Sequence, residues 1–336
     1  MLAADLFAGG GGLSSGLSDA GFHVVGAIES NLIAAETYRA NHRGTNLLAK
    51  DIREVKPEEL AKPRQLELLA ACPPCQGFTS LTAKYQRDDP RNDLVGQVVR
   101  FAKVLKPRAV MLENVPRLAT SSSGRRKLDP VLQAFEEMGY KVSWHILNAA
   151  DFGVGQDRRR LVVYAAPDYV DRPESDSVPR KTVKDVIGRF TKATTIYSAK
   201  EQRPNQRLCD WHVTRRPSQL TLERLKYAKE GGSRLDLPER LRPQCHKGRH
   251  TGFVNTYSRM SWGEPSPTIT AGCLTLSKGR FGHPKELRTI TLREAGRLQG
   301  FADSFVLPST SIEQNLRIIG NAFPAQLATV AAKALR

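Results

Sequence analysis

A thiol and a carboxyl group follow two apolar segments that have the pattern of buried strands. Cys75 closes the run Cys-Pro-Pro-Cys after the apolar segment 66–71, and Glu113 follows the apolar segment 109–112. A cysteine thiolate can add to a pyrimidine ring at carbon 6, and a carboxyl beside the ring nitrogen can polarise that ring for the addition. The two residues therefore predict covalent chemistry on a pyrimidine base.

A glycine-rich loop follows the first predicted strand. The run Asp-Leu-Phe-Ala-Gly-Gly-Gly-Gly occupies 5–12, and Glu29 ends the next strand. Glycines let the backbone approach a ligand closely, and a carboxylate at the second strand can accept both hydroxyls of a ribose. The loop lacks a Gly-Lys-Ser/Thr ending, which disfavours a triphosphate site. These features predict a site for a nucleoside.

The charge of the chain indicates a polyanionic partner. The 336 residues carry a net charge of +17. The stretch 167–290 holds 24 Lys and Arg against 13 Asp and Glu, so its net charge is +11. A basic excess concentrated in one stretch favours nucleic acid over a membrane surface.

The cysteines and the apolar pattern indicate a reducing, cytoplasmic setting. Five cysteines are too few, and odd in number, for a disulfide framework. Cys72 and Cys75 form a Cys-x-x-Cys, but both intervening residues are proline and no second pair completes a zinc site, so no metal is expected. The chain shows no secretory leader and no apolar run of membrane-spanning length, so we expect no membrane association.

Strand and helix patterns alternate through the first 166 residues, which predicts an α/β fold with a mainly parallel sheet. The segment 94–105 has one apolar face and should form a helix. From 167 to 285 the chain is rich in Arg, Lys, Pro and Gly, with a helix expected only at 221–230, and helical patterns return from 292 onward. We therefore predict a Rossmann-like domain from 1–166 and 286–336, and a smaller, irregular, basic domain from 167–285.

The motifs, taken in order, resemble those of the DNA cytosine carbon-5 methyltransferases of bacterial modification systems. The matching runs are Asp-x-Phe-x-Gly-x-Gly-Gly at 5–12, Pro-Pro-Cys-Gln at 73–76, Glu-Asn-Val at 113–115, Gln-x-Arg-x-Arg at 156–160, Leu-Arg-Glu-Ala-Gly-Arg-Leu-Gln-Gly-Phe at 292–301 and Gly-Asn-Ala-Phe-Pro at 320–324. Cys72 departs from the family, which has a small residue without a thiol there.

The resemblance implies S-adenosylmethionine as cofactor and a role for each matching residue. It implies that 167–285 is the target-recognition domain, to which the basic residues Arg249 and Arg259 add candidate contacts with bases or phosphates. The implied catalytic residues are Cys75, Glu113, Arg158 and Arg160. The implied cofactor contacts are Phe7, Gly9, Gly11, Gly12, Glu29, Asp51, Ile52, Pro74, Leu94 and Asn321. The remaining DNA contacts are Gln76, Thr79, Gln156 and Thr268.

The expected activity is therefore methyl transfer to carbon 5 of a flipped-out cytosine in a specific duplex DNA sequence, through a covalent bond from Cys75 to carbon 6. The expected partners are double-stranded DNA and a cognate restriction endonuclease acting on the same site, with the enzyme itself a monomer working on the bacterial nucleoid. Two alternatives stay open: a transfer-RNA cytosine methyltransferase of the same fold, and a DNA-binding protein that has lost catalysis.

Overall fold

The chain forms two compact units in the computed structural model, which describes residues 1–74, 94–175, 178–196, 207–247 and 253–336. The first unit contains Met1–Phe152, Arg159–Val178 and Ala322–Arg336, and the second contains Gly153–Arg158 and Pro179–Asn321. None of the helices that these ranges contain has the length and apolar character needed to cross a membrane.

A seven-stranded sheet forms the centre of the first unit. In chain order its strands are β1 (Leu2–Leu6), β2 (His23–Ile28), β3 (Asn46–Leu48), β4 (Leu68–Ala71), β5 (Ala109–Asn114), β6 (Lys141–Asn148) and β7 (Arg159–Ala166). They lie side by side in the order β3-β2-β1-β4-β5-β7-β6.

The sheet is mainly parallel, as the sequence predicted. Strands β1 to β5 pair in parallel, whereas β7 is antiparallel to both of its neighbours. Every residue of β4 and β5 is buried, as expected of strands covered by helices on both faces. The strand order reverses between β1 and β4, and ligands of open α/β sheets bind at the carboxyl ends of strands beside such a reversal.

The helices of the described residues include the one predicted at 94–105 and overlap the one predicted at 221–230. They are α1 (Gly12–Asp19), α2 (Leu32–Asn41), α3 (Pro57–Leu60), α4 (Val95–Leu105), α5 (Arg117–Thr120), α6 (Ser122–Glu137), α7 (Val183–Ile187), α8 (Gln219–Tyr227), α9 (Leu292–Leu298), α10 (Ile312–Asn321) and α11 (Ala325–Lys333). The apolar face predicted for α4 is buried against the sheet. Helix α7 was not predicted, and α8 begins two residues before the predicted 221.

The last helix of the chain lies against the first. A Cβ added to Gly16 of α1 would lie 2.4 Å from the Ala328 Cβ and 2.5 Å from the Ala325 carbonyl oxygen of α11. A Cβ on Gly12 would lie 2.8 Å from the Phe323 carbonyl oxygen. The absence of side chains at these two glycines therefore lets the C-terminal segment pack beside the glycine loop.

The second unit contains a small sheet of its own. Its strands β8 (Thr194–Ile196) and β9 (Val213–Arg215) form a two-stranded parallel sheet. A buried ion pair stabilises the start of α9, because both carboxylate oxygens of Glu294 accept hydrogen bonds from Arg288 at 2.7 and 2.8 Å. Such bidentate pairs fix geometry as well as charge.

The boundary between the units differs from the predicted domain boundary. The sequence assigned 286–336 to the first domain, but only Ala322–Arg336 lie in the first unit. The segment with α9 and α10 belongs to the second unit, where a Cβ on Gly296 would lie 2.7 Å from Leu208 side-chain carbons. Regular helices therefore pack against an irregular segment. Helical periodicity predicts that a helix has a buried face, but it does not show which segment covers that face.

Replacing Gly16 should weaken the packing of α1 on α11. Gly16→Ala places a methyl group against backbone, so we expect a loss of about 1–3 kcal/mol in the free energy of unfolding, measured by urea titration. Gly96→Ala is the matched control, because no described atom outside its own helix lies within 4 Å of the added Cβ. It should be neutral or stabilising by up to about 1 kcal/mol. Equal stabilities for the two variants would contradict the close approach.

Candidate active site and glycine loop

The polar residues singled out in the first unit lie at the carboxyl ends of neighbouring parallel strands. Phe7 and the glycine loop follow β1, Glu29 follows β2, and Cys72 follows β4. Glu113 lies near the end of β5. Strand pairing therefore brings together groups that are more than a hundred residues apart in the sequence, at the edge where the strand order reverses.

The glycine loop has a left-handed backbone at several residues. Gly9 and Gly11 have φ of 56° and 95°, and Phe7 has φ of 63°. Glycine adopts such angles without cost, whereas a phenylalanine there is strained. A Cβ on Gly11 would lie 2.2 Å from the His42 ring, while no described atom lies within 4 Å of a Cβ on Gly9. The backbone of the loop is therefore packed against the His42 ring at Gly11, whereas the space beside Gly9 is open.

Glu29 closes the second side of this loop. Its Oε2 accepts a hydrogen bond of 2.8 Å from the Gly9 backbone N–H, and its Oε1 accepts one of 2.6 Å from the Asn31 N–H. Burial raises the pKa of this carboxyl above its ordinary value, although these backbone donors oppose that shift. The carboxylate is therefore held in a fixed orientation beside the open face of the loop, where each oxygen retains a lone pair for a further donor.

A buried polar network beneath the loop was not assigned a role from the sequence. Ser14 donates a hydrogen bond of 2.6 Å to Asp5 Oδ2, and its oxygen lies 2.8 Å from the Tyr38 hydroxyl. Asp5 Oδ1 is buried without a hydrogen-bond partner among the described residues. Burial raises the Asp5 pKa from 3.8 to about 7, while the bond from Ser14 opposes the rise. The sequence gives one sign of this network, which is an aspartate within an apolar strand.

Asp51 and Ile52 form a short 3₁₀ turn after β3. Asp51 accepts hydrogen bonds from the Arg53 guanidinium at 3.0 and 2.6 Å, and this partner lowers the Asp51 pKa to about 2. Arg100 of α4 donates to the Ile52 carbonyl at 2.6 Å and to the Val55 carbonyl at 3.0 Å. Arg100 thus fixes the turn from across the unit, a role that its sequence context did not reveal.

These residues fit a nucleoside cofactor. The open backbone beside Gly9, the oriented Glu29 carboxylate and the fixed turn at Asp51 offer hydrogen-bonding groups for a ribose and a base edge. Pro74 and Leu94, the other predicted cofactor contacts of this unit, are both partly buried. No cluster of three potential metal ligands occurs among the residues that the structure describes.

Glu113 and Arg160 form a nearly buried ion pair. The Arg160 Nε lies 2.8 Å from Glu113 Oε1, and the two side chains are 13% and 11% exposed. Val162 pairs with Glu113 across β5 and β7, so Arg160, two residues earlier, extends from the same face of the sheet. The pair unites two residues that the sequence predicted to act together.

The neighbouring asparagine ties the loop after β4 to β5. Asn114 is buried and donates a hydrogen bond of 3.2 Å from Nδ2 to the Pro73 carbonyl. The Cys72 thiol lies beside the Glu113 carboxylate, and burial together with that negative charge raises its pKa well above the ordinary value. Cys72 is therefore held as a neutral thiol, which argues against a nucleophilic role for it.

Four predicted site residues lie outside the described residues. Cys75, Gln76 and Thr79 fall within 75–93, and Arg249 falls within 248–252. Their predicted roles in catalysis and DNA contact stay predictions.

Three predicted ligand-contacting residues of the second unit are instead buried and bonded to the chain itself. Gln156 accepts a hydrogen bond of 2.7 Å from the Ile269 N–H and donates to Gln299. Arg158 donates to the Ile269 carbonyl at 2.9 Å and to the Gly320 carbonyl at 3.2 Å.

The third of these residues is Arg259, whose guanidinium donates to four backbone carbonyls, those of Leu225, Ala228, His283 and Glu286. All three side chains bond groups of the unit itself, whereas the sequence predicted contacts with base or phosphate for them.

The other two described residues of this set keep some exposure. Thr268 is partly buried, and its hydroxyl donates a hydrogen bond of 2.8 Å to the Asp157 carbonyl. Asn321 is exposed at the end of α10. The predicted DNA contact of Thr268 and the predicted cofactor contact of Asn321 are compatible with these positions.

Comparison with known proteins finds one family across the whole chain. The model of the C-5 cytosine-specific DNA methylases matches residues 1–336. Type II methyltransferase M1.HphI of Haemophilus parahaemolyticus is 36% identical over 98% of this chain and 85% of its own length. Type II methylase M.HgiDII of Herpetosiphon aurantiacus is 34% identical over 99% of this chain and 94% of its own.

Solved structures share the fold at low sequence identity. A protein described as a DNA modification methyltransferase encoded within an E. coli prophage aligns with a TM-score of 0.74 at 22% identity, covering 100% of this chain and 98% of its own. The Entamoeba histolytica methyltransferase EhMeth aligns with a TM-score of 0.65 at 15% identity, covering 100% and 97%. At these identities the likeness concerns the fold alone.

The raised pKa of Asp5 should make stability depend on pH. Between about pH 4 and 7 the folded state holds a proton that the unfolded state has released, so this group's contribution to stability falls as the pH rises. Asp5→Asn has no ionisable group at this position, so it lacks this pH-dependent contribution to stability. Its free energy of unfolding relative to wild type, from urea titrations at a series of pH values, should therefore increase across that window and then level off.

Ser14→Ala provides the control for this pH dependence. It removes the hydrogen bond that lowers the Asp5 pKa, so the window should extend to higher pH. A stability difference between Asp5→Asn and wild type that stays constant from pH 4 to 8 would show that Asp5 ionises normally.

Proposed function

Because the chain belongs to the C-5 cytosine-specific DNA methylases, we propose that it methylates a cytosine within a specific duplex sequence, after that base has left the helix. The protein is a DNA cytosine-5 methyltransferase, and its methyl donor is S-adenosylmethionine. This cofactor supplies an electrophilic methyl group when it is bound. Carbon 6 must be approached from above the ring, where neighbouring bases stack, so chemistry on it requires an extruded base.

Cys75 is the proposed nucleophile. Its thiolate adds to carbon 6 of the ring, and the ring electrons then make carbon 5 nucleophilic, so one difficult substitution becomes two easier steps. After methylation a base removes the proton from carbon 5. The bond between sulfur and carbon 6 then breaks, and the thiolate is restored. Cys72 remains a neutral thiol during this cycle, as its raised pKa requires.

Glu113 is proposed to hold the target base by hydrogen bonds. Its carboxyl shares a proton with the ring nitrogen beside the amino group and accepts a hydrogen bond from that amino group, which selects cytosine over thymine. Arg160 orients the carboxylate through the bond to Oε1, which leaves Oε2 and the second lone pair of Oε1 for the base.

One observation carries this proposal: of two consecutive residues of β5, the first carries the carboxyl and the second bonds the loop that leads to the proposed nucleophile. Glu113 is paired with Arg160 at 2.8 Å, and Asn114 bonds the Pro73 carbonyl at 3.2 Å. The loop that leads to Cys75 is thereby tied to the strand that carries the carboxyl. A carboxyl and a thiol that act on opposite parts of one small ring need this kind of shared anchor.

The cofactor site is proposed at the glycine loop. Phe7 would lie against the adenine, Glu29 would bind the ribose, and Asp51 with Ile52 would meet the adenine edge. The open backbone beside Gly9 and the oriented Glu29 carboxylate support this assignment. The remaining proposed contacts are Gly11, Gly12, Pro74, Leu94 and Asn321.

The basic segment 167–285 is proposed to recognise DNA. The net charge of +11 over 167–290 supports contacts with phosphates, which dominate affinity for duplex DNA. The relatives' names as Type II enzymes support a role in restriction and modification, with a cognate endonuclease acting on the same sequence. We propose a monomer acting on bacterial chromosomal DNA.

Replacing the proposed nucleophile should separate binding from chemistry. Cys75→Ala should abolish methyl transfer while leaving DNA binding measurable by fluorescence anisotropy. With 5-fluorocytosine at the target position, carbon 5 carries no proton to lose, so the wild type should form a complex that survives denaturing electrophoresis, and Cys75→Ala should not. Cys72→Ala should still form this complex. A trapped complex with Cys75→Ala, or its loss in Cys72→Ala alone, would transfer the role to Cys72.

Substrate choice separates the proposal from its two alternatives. Transfer of a labelled methyl group to duplex DNA, and not to transfer RNA, is the expected result, and bisulfite sequencing of DNA from expressing cells would then give the target base and its context. Label in transfer RNA alone would establish the RNA enzyme. Binding to DNA with no transfer to either substrate would establish a catalytically silent protein.

A further inference from the structure

Arg158 holds a loop and the end of a helix together in the second unit. Its guanidinium is buried and donates to the Ile269 carbonyl at 2.9 Å through Nη1 and to the Gly320 carbonyl at 3.2 Å through Nη2. Ile269 follows Thr268, a proposed DNA contact, and Gly320 precedes Asn321, a proposed cofactor contact. One planar cation therefore fixes the distance between two segments, each of which carries a proposed ligand contact.

The loop at Ile269 is paired along its length with the segment that carries Arg158. Ser266 exchanges backbone hydrogen bonds with this segment, donating to the Gly155 carbonyl at 3.0 Å and accepting from the Asp157 N–H at 2.8 Å. The Thr268 hydroxyl donates to the Asp157 carbonyl at 2.8 Å.

Ile269 is held on both sides of its backbone. Its N–H donates to Gln156 at 2.7 Å, and its carbonyl accepts from Arg158 at 2.9 Å. Thr268 therefore cannot shift on binding a phosphate without moving Arg158, because the residue that follows it is bonded to that guanidinium.

The second partner of Arg158, Gly320, lies in the last turn of α10. A Cβ on Gly320 would lie 2.4 Å from the Ala271 nitrogen and 2.5 Å from the Thr270 carbonyl carbon, so its backbone is in close contact with the loop at Ile269. Three residues further on, the Phe323 carbonyl oxygen lies where it would meet a Cβ on Gly12 at 2.8 Å. A short stretch of chain thus runs from a bonding partner of Arg158 to the proposed cofactor loop.

We propose that Arg158 is a positioning residue that couples the two sites, so that binding of DNA at the Thr268 loop and of cofactor at Gly320–Asn321, the end of α10, strengthen each other. This inference depends on the proposed function, since it takes the two ligands from it. Coupling of this kind is reciprocal, and each ligand raises the affinity for the other by the same factor. Arg160 has a different task, because its guanidinium orients the Glu113 carboxylate.

The test measures the affinity for S-adenosylhomocysteine by calorimetry, with and without a duplex containing the target site. This demethylated form of the cofactor allows no turnover. In the wild type the duplex should tighten binding by about fivefold or more. In Arg158→Lys, which keeps the charge but cannot bridge two carbonyls in one plane, the factor should fall toward one, while binding of each ligand alone is retained.

Arg259→Lys is the matched control. Arg259 is also a buried arginine of the second unit that donates to backbone carbonyls, but its four partners belong to other segments. Its replacement should lower stability and leave the coupling factor unchanged. Full coupling in Arg158→Lys, equal loss of coupling in both variants, or no coupling in the wild type would each overturn the inference.

Hydrogen exchange of the wild type gives a test that requires no variant. Cofactor alone should slow amide exchange in 266–271, and duplex alone should slow it in 318–323. Absence of both effects would overturn the inference even where Arg158→Lys fails to fold. Failure of the proposed function has a different signature, because the wild type would then transfer no methyl group to DNA.

Discussion

The register between β4 and β5 is the constraint on which the candidate active site depends. Ala71 pairs with Leu112, so the residues that follow them, Cys72 and Glu113, meet at the sheet edge. Side chains of a strand alternate between its two faces, so a slip of one residue would turn Glu113 away from Arg160 and the thiol. Asn114 adds a second restraint through the Pro73 carbonyl. The pairing of these buried, uninterrupted apolar strands therefore determines the position of the Glu113 carboxyl.

Two arginines two residues apart have different structural roles because the strand begins between them. β7 starts at Arg159, so Arg160 obeys the alternation of a strand and meets Glu113. Arg158 lies before the strand, in the second unit, and bonds the Ile269 and Gly320 carbonyls. The prediction that both arginines serve the flipped base assumed that strand alternation extends to Arg158. A motif of fixed spacing can therefore contain one residue for chemistry and another for assembly.

Sequence reasoning succeeded where periodicity and burial determine structure. The apolar face of α4 and the parallel strands follow from patterns that only one kind of packing satisfies. It gave no indication of the bonding partners of Gln156 and Arg259, which lie in segments without periodicity and bond groups distant in sequence. A basic residue in an irregular, positively charged segment has the same local context whether it faces phosphate or bonds a backbone carbonyl. Only tertiary structure separates the two.

The glycine loop carries features that stability alone would not select. Phe7 adopts a strained left-handed backbone, and burial raises the pKa of both Asp5 and Glu29. Each feature opposes folding, and an asparagine or an apolar residue would remove the electrostatic cost. Residues that lower the stability of the fold tend to occur at functional sites, where they are needed to bind a ligand. The buried sheet beneath offsets these costs, and the loop remains fixed beside the reversal of strand order. This concentration of unfavourable features is therefore physical support, independent of any sequence motif, for placing the cofactor there.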